Sequence, residues 1–244
     1  DKYNRGFNML QRGLVGDIKP ENWHGLIDAT YAIILTLLLI ELPTQILDAI
    51  KEYKLHPNFH LVTLESLTYY MFGYLSIFII VYDIWAHHRE IVSNAVINRV
   101  NLSIGIAILF LSSLIPPLHA IVMELKHDLL ERENSSIGGL SFIFDDVRIT
   151  SALVVACIYG CIALIAAKDL RFLRRRGSEA DSRMIVLKRL KQSSIAMTCV
   201  ILLVSIIAVR GHITAPVPLM LVALCTHLPI DTLMIQLKQR ILSR

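Results

Sequence analysis

Residues 26–42, LIDATYAIILTLLLIEL, constrain this chain more than any other stretch. A lone carboxylate, Asp28, stands ahead of an apolar run from Ala29 to Ile40 that only Thr30 and Thr36 interrupt. Glu41 and Pro43 then close the run. Upstream, Asp17 reads as a helix cap and Pro20 as a first-turn residue, since the early helix amides need no proline N–H. A helix over 20–42 is roughly 34 Å long at 1.5 Å per residue, enough to cross a bilayer. Its faces differ. At about 100° per residue, Ala29, Ile33, Leu37, Ile40 and Thr44 share one stripe, with Thr36 at its margin. Asp28, Tyr31 and His24 point away from it. Lipid offers a carboxylate no partner, so Asp28 needs one within the protein.

The composition agrees with a membrane setting. Of 244 residues, 55% are hydrophobic, and the mean hydropathy is +0.57. A soluble domain sits at about 45–50% apolar. Residues 1–16 are polar, lack a continuous apolar core and do not read as a cleavable signal. Cys157, Cys161, Cys199 and Cys225 all lie in apolar runs and read as small membrane-buried hydrophobes. No His or carboxylate stands beside the Cys157–Cys161 pair, so no metal site is expected there.

Five further apolar segments follow, giving an all-α, six-helix transmembrane domain over 1–244 with approximate spans 20–42, 59–88, 102–123, 149–167, 194–209 and 213–237. Residues 44–54 are amphipathic and either lie at the membrane surface or extend the first helix past a kink at Pro43. The second span is rich in Ser and Tyr, and its Gly73 permits close helix contact. It ends in Tyr82-Asp-Ile-Trp85-Ala-His87-His88-Arg89, and 89–101 reads as a polar connection. Pro116-Pro117 must kink the third span. A loop is expected over 126–148. The basic stretch 168–191 reads as a topology signal able to touch anionic lipid. Placing positive loops inside puts both termini in the cytoplasm. His119, Glu124, His227 and Asp231 fall near helix ends or kinks and read as interfacial or hydrogen-bonded groups. No nucleotide loop, no basis for nucleic-acid binding and no cofactor site is apparent. No Thr-Val-Gly-Tyr-Gly segment occurs, so no re-entrant carbonyl-lined selectivity filter is expected.

The polar residues leave several readings open. Asp28, Trp85, His87 and His88 all belong near the cytoplasmic side. The bland reading makes Trp85 an interfacial anchor and the histidines headgroup contacts. The sharper one makes them an interhelical network that satisfies Asp28. A metal site fits poorly, because adjacent histidines project about 100° apart on a helix. Thr36 either bonds back to its own helix or faces an ion. The Ile33–Leu37–Ile40 stripe is a pore lining or a packing face, and the residues alone favour packing.

A resemblance bears on these choices. Asp28-x-x-Tyr-Ala-Ile-x-x-Thr36-Leu-Leu-x-Ile-Glu41 resembles the first-helix signature of the prokaryotic relatives of the endolysosomal potassium channel, the transmembrane protein 175 family. Asp28, Ala32, Ile33, Thr36, Leu37, Leu38 and Glu41 match outright. Leu26, Ile27, Ala29 and Tyr31 replace Phe, Ser, Gly and Phe, and Asn22 stands where the family has Arg. Trp85, His87 and His88 resemble the family's Trp-x-x-His-His, one residue closer together. Leu111-Ser-Ser-Leu-Ile-Pro116 is similar to a stretch of its third helix. The resemblance implies six helices per repeat, one repeat in this chain, and a homotetramer in the bilayer that passes monovalent cations, potassium over sodium. It implies that first helices surround the pore, that Ile33 forms the narrowest ring beside Leu37 and Ile40, and that Thr36 faces the ion. It further implies a structural network of Asp28, Asn22, Trp85, His87 and His88, no catalytic role, and a prokaryotic plasma membrane. A cation-coupled carrier using Asp28 and the histidines as a relay, or a membrane enzyme with a His/Asp site, are the alternatives.

Overall fold

The computed structural model describes residues 20–55, 60–96, 98–131, 138–175, 182–210 and 222. Among these, the chain is all helix and short connection. The elements are α1 (Pro20–Leu55), α2 (His60–Asn94), α3 (Arg99–Ser113), α4 (Ile115–Glu131), α5 (Gly138–Arg175) and α6 (Ser182–Arg210). Four stretches among them are long and apolar enough to cross a membrane: Trp23–Thr44, Arg99–Leu125, Asp145–Arg175 and Ser182–Arg210. The expected span at 213–237 lies outside the described residues, apart from Val222.

The helices outrun their apolar segments. Hydropathy marks only the part of a helix that lipid can cover, whereas Lys, Arg, Glu and Leu are good helix formers in water as well. So α5 begins eleven residues before the expected start at 149 and α6 twelve before 194. The loop expected over 126–148 is largely helix, since α4 reaches Glu131 and α5 starts at Gly138. The polar connection expected over 89–101 shrinks to 95–98. Pro43 does not end α1, which continues to Leu55. A proline inside a helix removes one backbone bond, but the turns on either side hold the ladder.

The third span is two helices rather than one kinked helix. Leu114 stays near helical geometry, at φ −80° and ψ −14°, and its N–H is shared between the carbonyls of Leu111 and Ser112. The next helix starts at Ile115, which puts Pro116 and Pro117 in its first turn. There the missing N–H groups cost nothing, because first-turn amides have no helical acceptor.

The helices pair as α1 with α2 and α5 with α6, and α3 and α4 fill the space between the pairs. Ile27, Tyr31, Ile34 and Leu38 bring one face of α1 into the core at i, i+4, i+7 and i+11, each no more than 2% exposed. Ile80, Val81, Ile84 and Ile91 do the same for α2. At Gly73 of α2 the space a side chain would need is taken from α4: a Cβ built there would stand 2.3 Å from the terminal methyl of Met123. Cys157 and Cys199 are exposed on the apolar surface, Cys161 is half-buried, and all three are free thiols. Cys225 lies outside the described residues.

Candidate functional site

With one face of α1 committed to the core, the opposite face is left uncovered in the chain. Ile33, Leu37 and Ile40 are 62%, 46% and 62% exposed. Ala29, Thr36 and Thr44 are exposed beside them. The Thr36 hydroxyl donates to the Ala32 carbonyl at 2.7 Å. Its proton is therefore used within the helix, and its lone pairs remain on the outward side. The stripe offers that oxygen and branched carbon.

The polar side of α1 is held by two separate clusters. In the first, Trp85 Nε1 donates to Asp28 Oδ1 at 2.8 Å. Arg89 stacks its guanidinium over the Trp85 ring at 5.5 Å and reaches Asp28 Oδ2 at 3.9 Å. The Asp28 side chain keeps 40% of its surface exposed in the chain, so it has its protein partner without being buried. A half-exposed pair at that distance contributes little Coulomb energy. The charge-assisted indole bond fixes geometry instead. The sequence put no cation beside Asp28, because Asn22 stands at the family's Arg position. Arg89, one turn beyond Trp85, supplies one from α2. The Asn22 side chain lies outside the described residues.

The second cluster is buried. Tyr31 Oη lies 3.0 Å from Ser112 Oγ and 3.4 Å from His88 Nδ1, with the two rings edge to face. All three residues are no more than 1% exposed. This joins α1, α2 and the last turn of α3. Sequence reading placed His88 with Asp28. The structure turns it inward to Tyr31, because successive helical residues diverge by about 100°. The Nε2 of His88 has no hydrogen-bond partner among the described residues and faces Gly105, where an added Cβ would lie 3.6 Å away.

His87 also leaves Asp28. Its Nε2 lies 3.0 Å from Ser193 Oγ in α6, and its Nδ1 lies 3.0 Å from the Asp83 carbonyl and 3.3 Å from Asp83 Oδ2. The hydroxyl of buried Tyr159 in α5 donates to Asp83. This third cluster pins α2 to the α5–α6 pair. Asp83 four residues before His87 was a legible i, i+4 pairing; Tyr159 carried no sequence signal.

A fourth cluster closes the same end of the bundle. Asp169, 1% exposed, accepts the Val96 amide at 2.6 Å and the Asn101 amide at 2.9 Å. Asn98 caps α3 by accepting from the Asn101 N–H. Lys168 donates to Asn98 and Asn101. A buried carboxylate persists when charge-assisted bonds replace its hydration, as here. Of the other expected helix-end groups, His119 is buried edge-on against Tyr74 at 4.8 Å, Glu124 is exposed, and His227 and Asp231 lie outside the described residues. Among the described residues, no group of three His, Cys, Asp or Glu side chains is placed to hold a metal.

Residues 23–116, from the start of α1 to the first turn of α4, match the family model described as Endosomal/lysosomal potassium channel TMEM175. No curated protein and no solved structure matches the chain.

Proposed function

We propose, from the premise that this chain is related to the TMEM175 potassium channel family, that it is a potassium-preferring cation channel of four copies. In this reading four α1 helices surround the pore. Ile33, Leu37 and Ile40 form its hydrophobic constriction, and Thr36 supplies the oxygen nearest the ion. Each chain contributes six spans: the four apolar ones already described, α2, and 213–237. Both termini lie in the cytoplasm at a prokaryotic plasma membrane.

The observation that carries this is the two-faced first helix. Its inward face is filled by its own subunit, and its outward face repeats branched apolar side chains along a stripe that the subunit leaves bare. A ring of such side chains excludes water while it is narrow, and conduction requires it to widen until water enters. The carrier reading needs a proton relay through Asp28, His87 and His88. Those three residues belong to three different clusters, which favours a scaffold role over a relay.

Reconstitution of the chain alone into liposomes, with potassium and sodium gradients compared, tests the proposal. Conductance favouring potassium is expected. Saturable flux coupled to a second ion would overturn it in favour of a carrier.

A further inference from the structure

The basic end of the α5–α6 hairpin is not used by the pore. Asp169 accepts from Val96 in the α2–α3 connection, so the end of α5, the start of α6 and Arg89 and Arg99 lie at one end of the bundle. There Arg171, Arg174, Arg175 and Lys188 are exposed and Lys191 is half-buried. The carboxylate beside them, Asp169, is buried and already bonded to Val96 and Asn101. The opposite end carries Glu41, Glu124, Asp145 and Asp146.

Distance from the membrane selects the occupant. The apolar part of α5 stops at Ala167 and that of α6 starts at Ser194. At 1.5 Å per residue, Arg171 stands roughly 6 Å beyond the apolar edge and Lys191 and Lys188 roughly 5 and 9 Å. A headgroup layer is about 5–8 Å thick on each face. Long basic side chains lay their stems along apolar surface and keep the charge in that layer. Arg171 and Lys191 fall inside that layer, and Lys188, Arg174 and Arg175, roughly 9, 11 and 12 Å out, reach back to it with their long side chains.

We propose that this basic end is a binding surface for the headgroups of anionic phospholipids in the adjoining leaflet, held by Arg171, Arg174, Arg175, Lys188 and Lys191. Because Lys168 and Asp169 clamp the α2–α3 connection, lipid bound here loads the element that also carries Trp85 and Arg89.

The test needs no channel activity, so it is independent of the pore assignment. The full chain is reconstituted in phosphatidylcholine vesicles containing a minority of phosphatidylglycerol. Association of spin-labelled phosphatidylglycerol and phosphatidylcholine is compared by electron paramagnetic resonance. The expected preference for phosphatidylglycerol is on the order of fivefold at about 0.15 M salt and collapses toward unity at about 1 M. The quintuple variant R171Q/R174Q/R175Q/K188Q/K191Q should lose it. The variant R171K/R174K/R175K, with unchanged charge, should keep it even where the neutral variant misfolds. Equal association of the two lipids with wild type overturns the proposal. So does retention of the preference in a folded quintuple variant. Binding of soluble polyglutamate by wild type without any lipid preference would overturn it in favour of an acidic protein partner.

Discussion

At the scale of single residues, Ile33 and Thr36 should respond in opposite ways. An ion in a dry ring of isoleucines loses hydration and gains no ligand in return. Ile33→Asn should wet the ring and raise potassium and sodium currents together, about tenfold for each ~1.4 kcal/mol removed from the barrier. Thr36→Val removes the hydroxyl that donates to the Ala32 carbonyl and leaves the proposed ring dry, so the potassium/sodium ratio should change more than the current. Currents in Ile33→Asn equal to wild type, measured in planar bilayers, would move the pore off α1. In the proposed reading Asp28 is a scaffold residue, bonded to Trp85 and facing Arg89. Asp28→Asn keeps an acceptor for Trp85 but loses the charge opposite Arg89, so yield and thermal stability should fall while selectivity holds; a large shift in reversal potential at normal yield would contradict that. The Trp85–Asp28 contact was legible because both residues sit in recognisable motifs. Its third member, Arg89, was not. The sequence showed Asn22 at the expected Arg position and gave no reason to look one turn past Trp85.

At the scale of elements, the seam between α2 and α4 depends on Gly73. The terminal methyl of Met123 occupies the space a side chain would need. Met123 is flexible enough to yield to a single methyl, so Gly73→Ala should be mild. Gly73→Leu overfills the seam and should cost ~1–3 kcal/mol, read as a lower melting temperature in detergent. An unchanged melting temperature would mean the helices part there without loss. Gly73 was visible in the sequence as a small residue in a polar-flecked span. The helix ends were not, because hydropathy reports where lipid stops and not where the backbone ladder stops. Residues 44–54 and 182–193 are helical without being apolar. The buried Asp169 cluster was equally hidden: a single Asp among arginines reads as surface until the Val96 amide is seen pointing at it.

At the scale of the whole molecule, the proposed pore requires copies of the same chain to meet at the bare stripe on α1. Native mass spectrometry in mild detergent should find assemblies of four chains of 27.6 kDa each. Ile33→Cys, in a background with the four native cysteines replaced, should give covalent dimers on oxidation if the proposed ring brings these positions together at an axis. A conducting monomer would remove the axis altogether. The bundle's existence was legible from hydropathy, and its pairing was not. That α5 and α6 form one unit, tied to α2 through His87, Asp83 and Tyr159, depends on contacts between residues 76 and 106 positions apart, which no local pattern encodes.

The break at Leu114 gives the third span a mechanical character that a straight helix lacks. Its first half, α3, is anchored by Ser112 to Tyr31 and by Asn101 to Asp169. Its second half, α4, meets α2 through His119 at Tyr74 and Met123 at Gly73. A continuous rod would pass a push on one half directly to the other. A pivot with its hydrogen-bond ladder interrupted absorbs that push as a change of angle. Both halves also pack against α1, so a rotation of α1 reaches each half through its own contacts, and the angle at Leu114 is free to take up any difference between them.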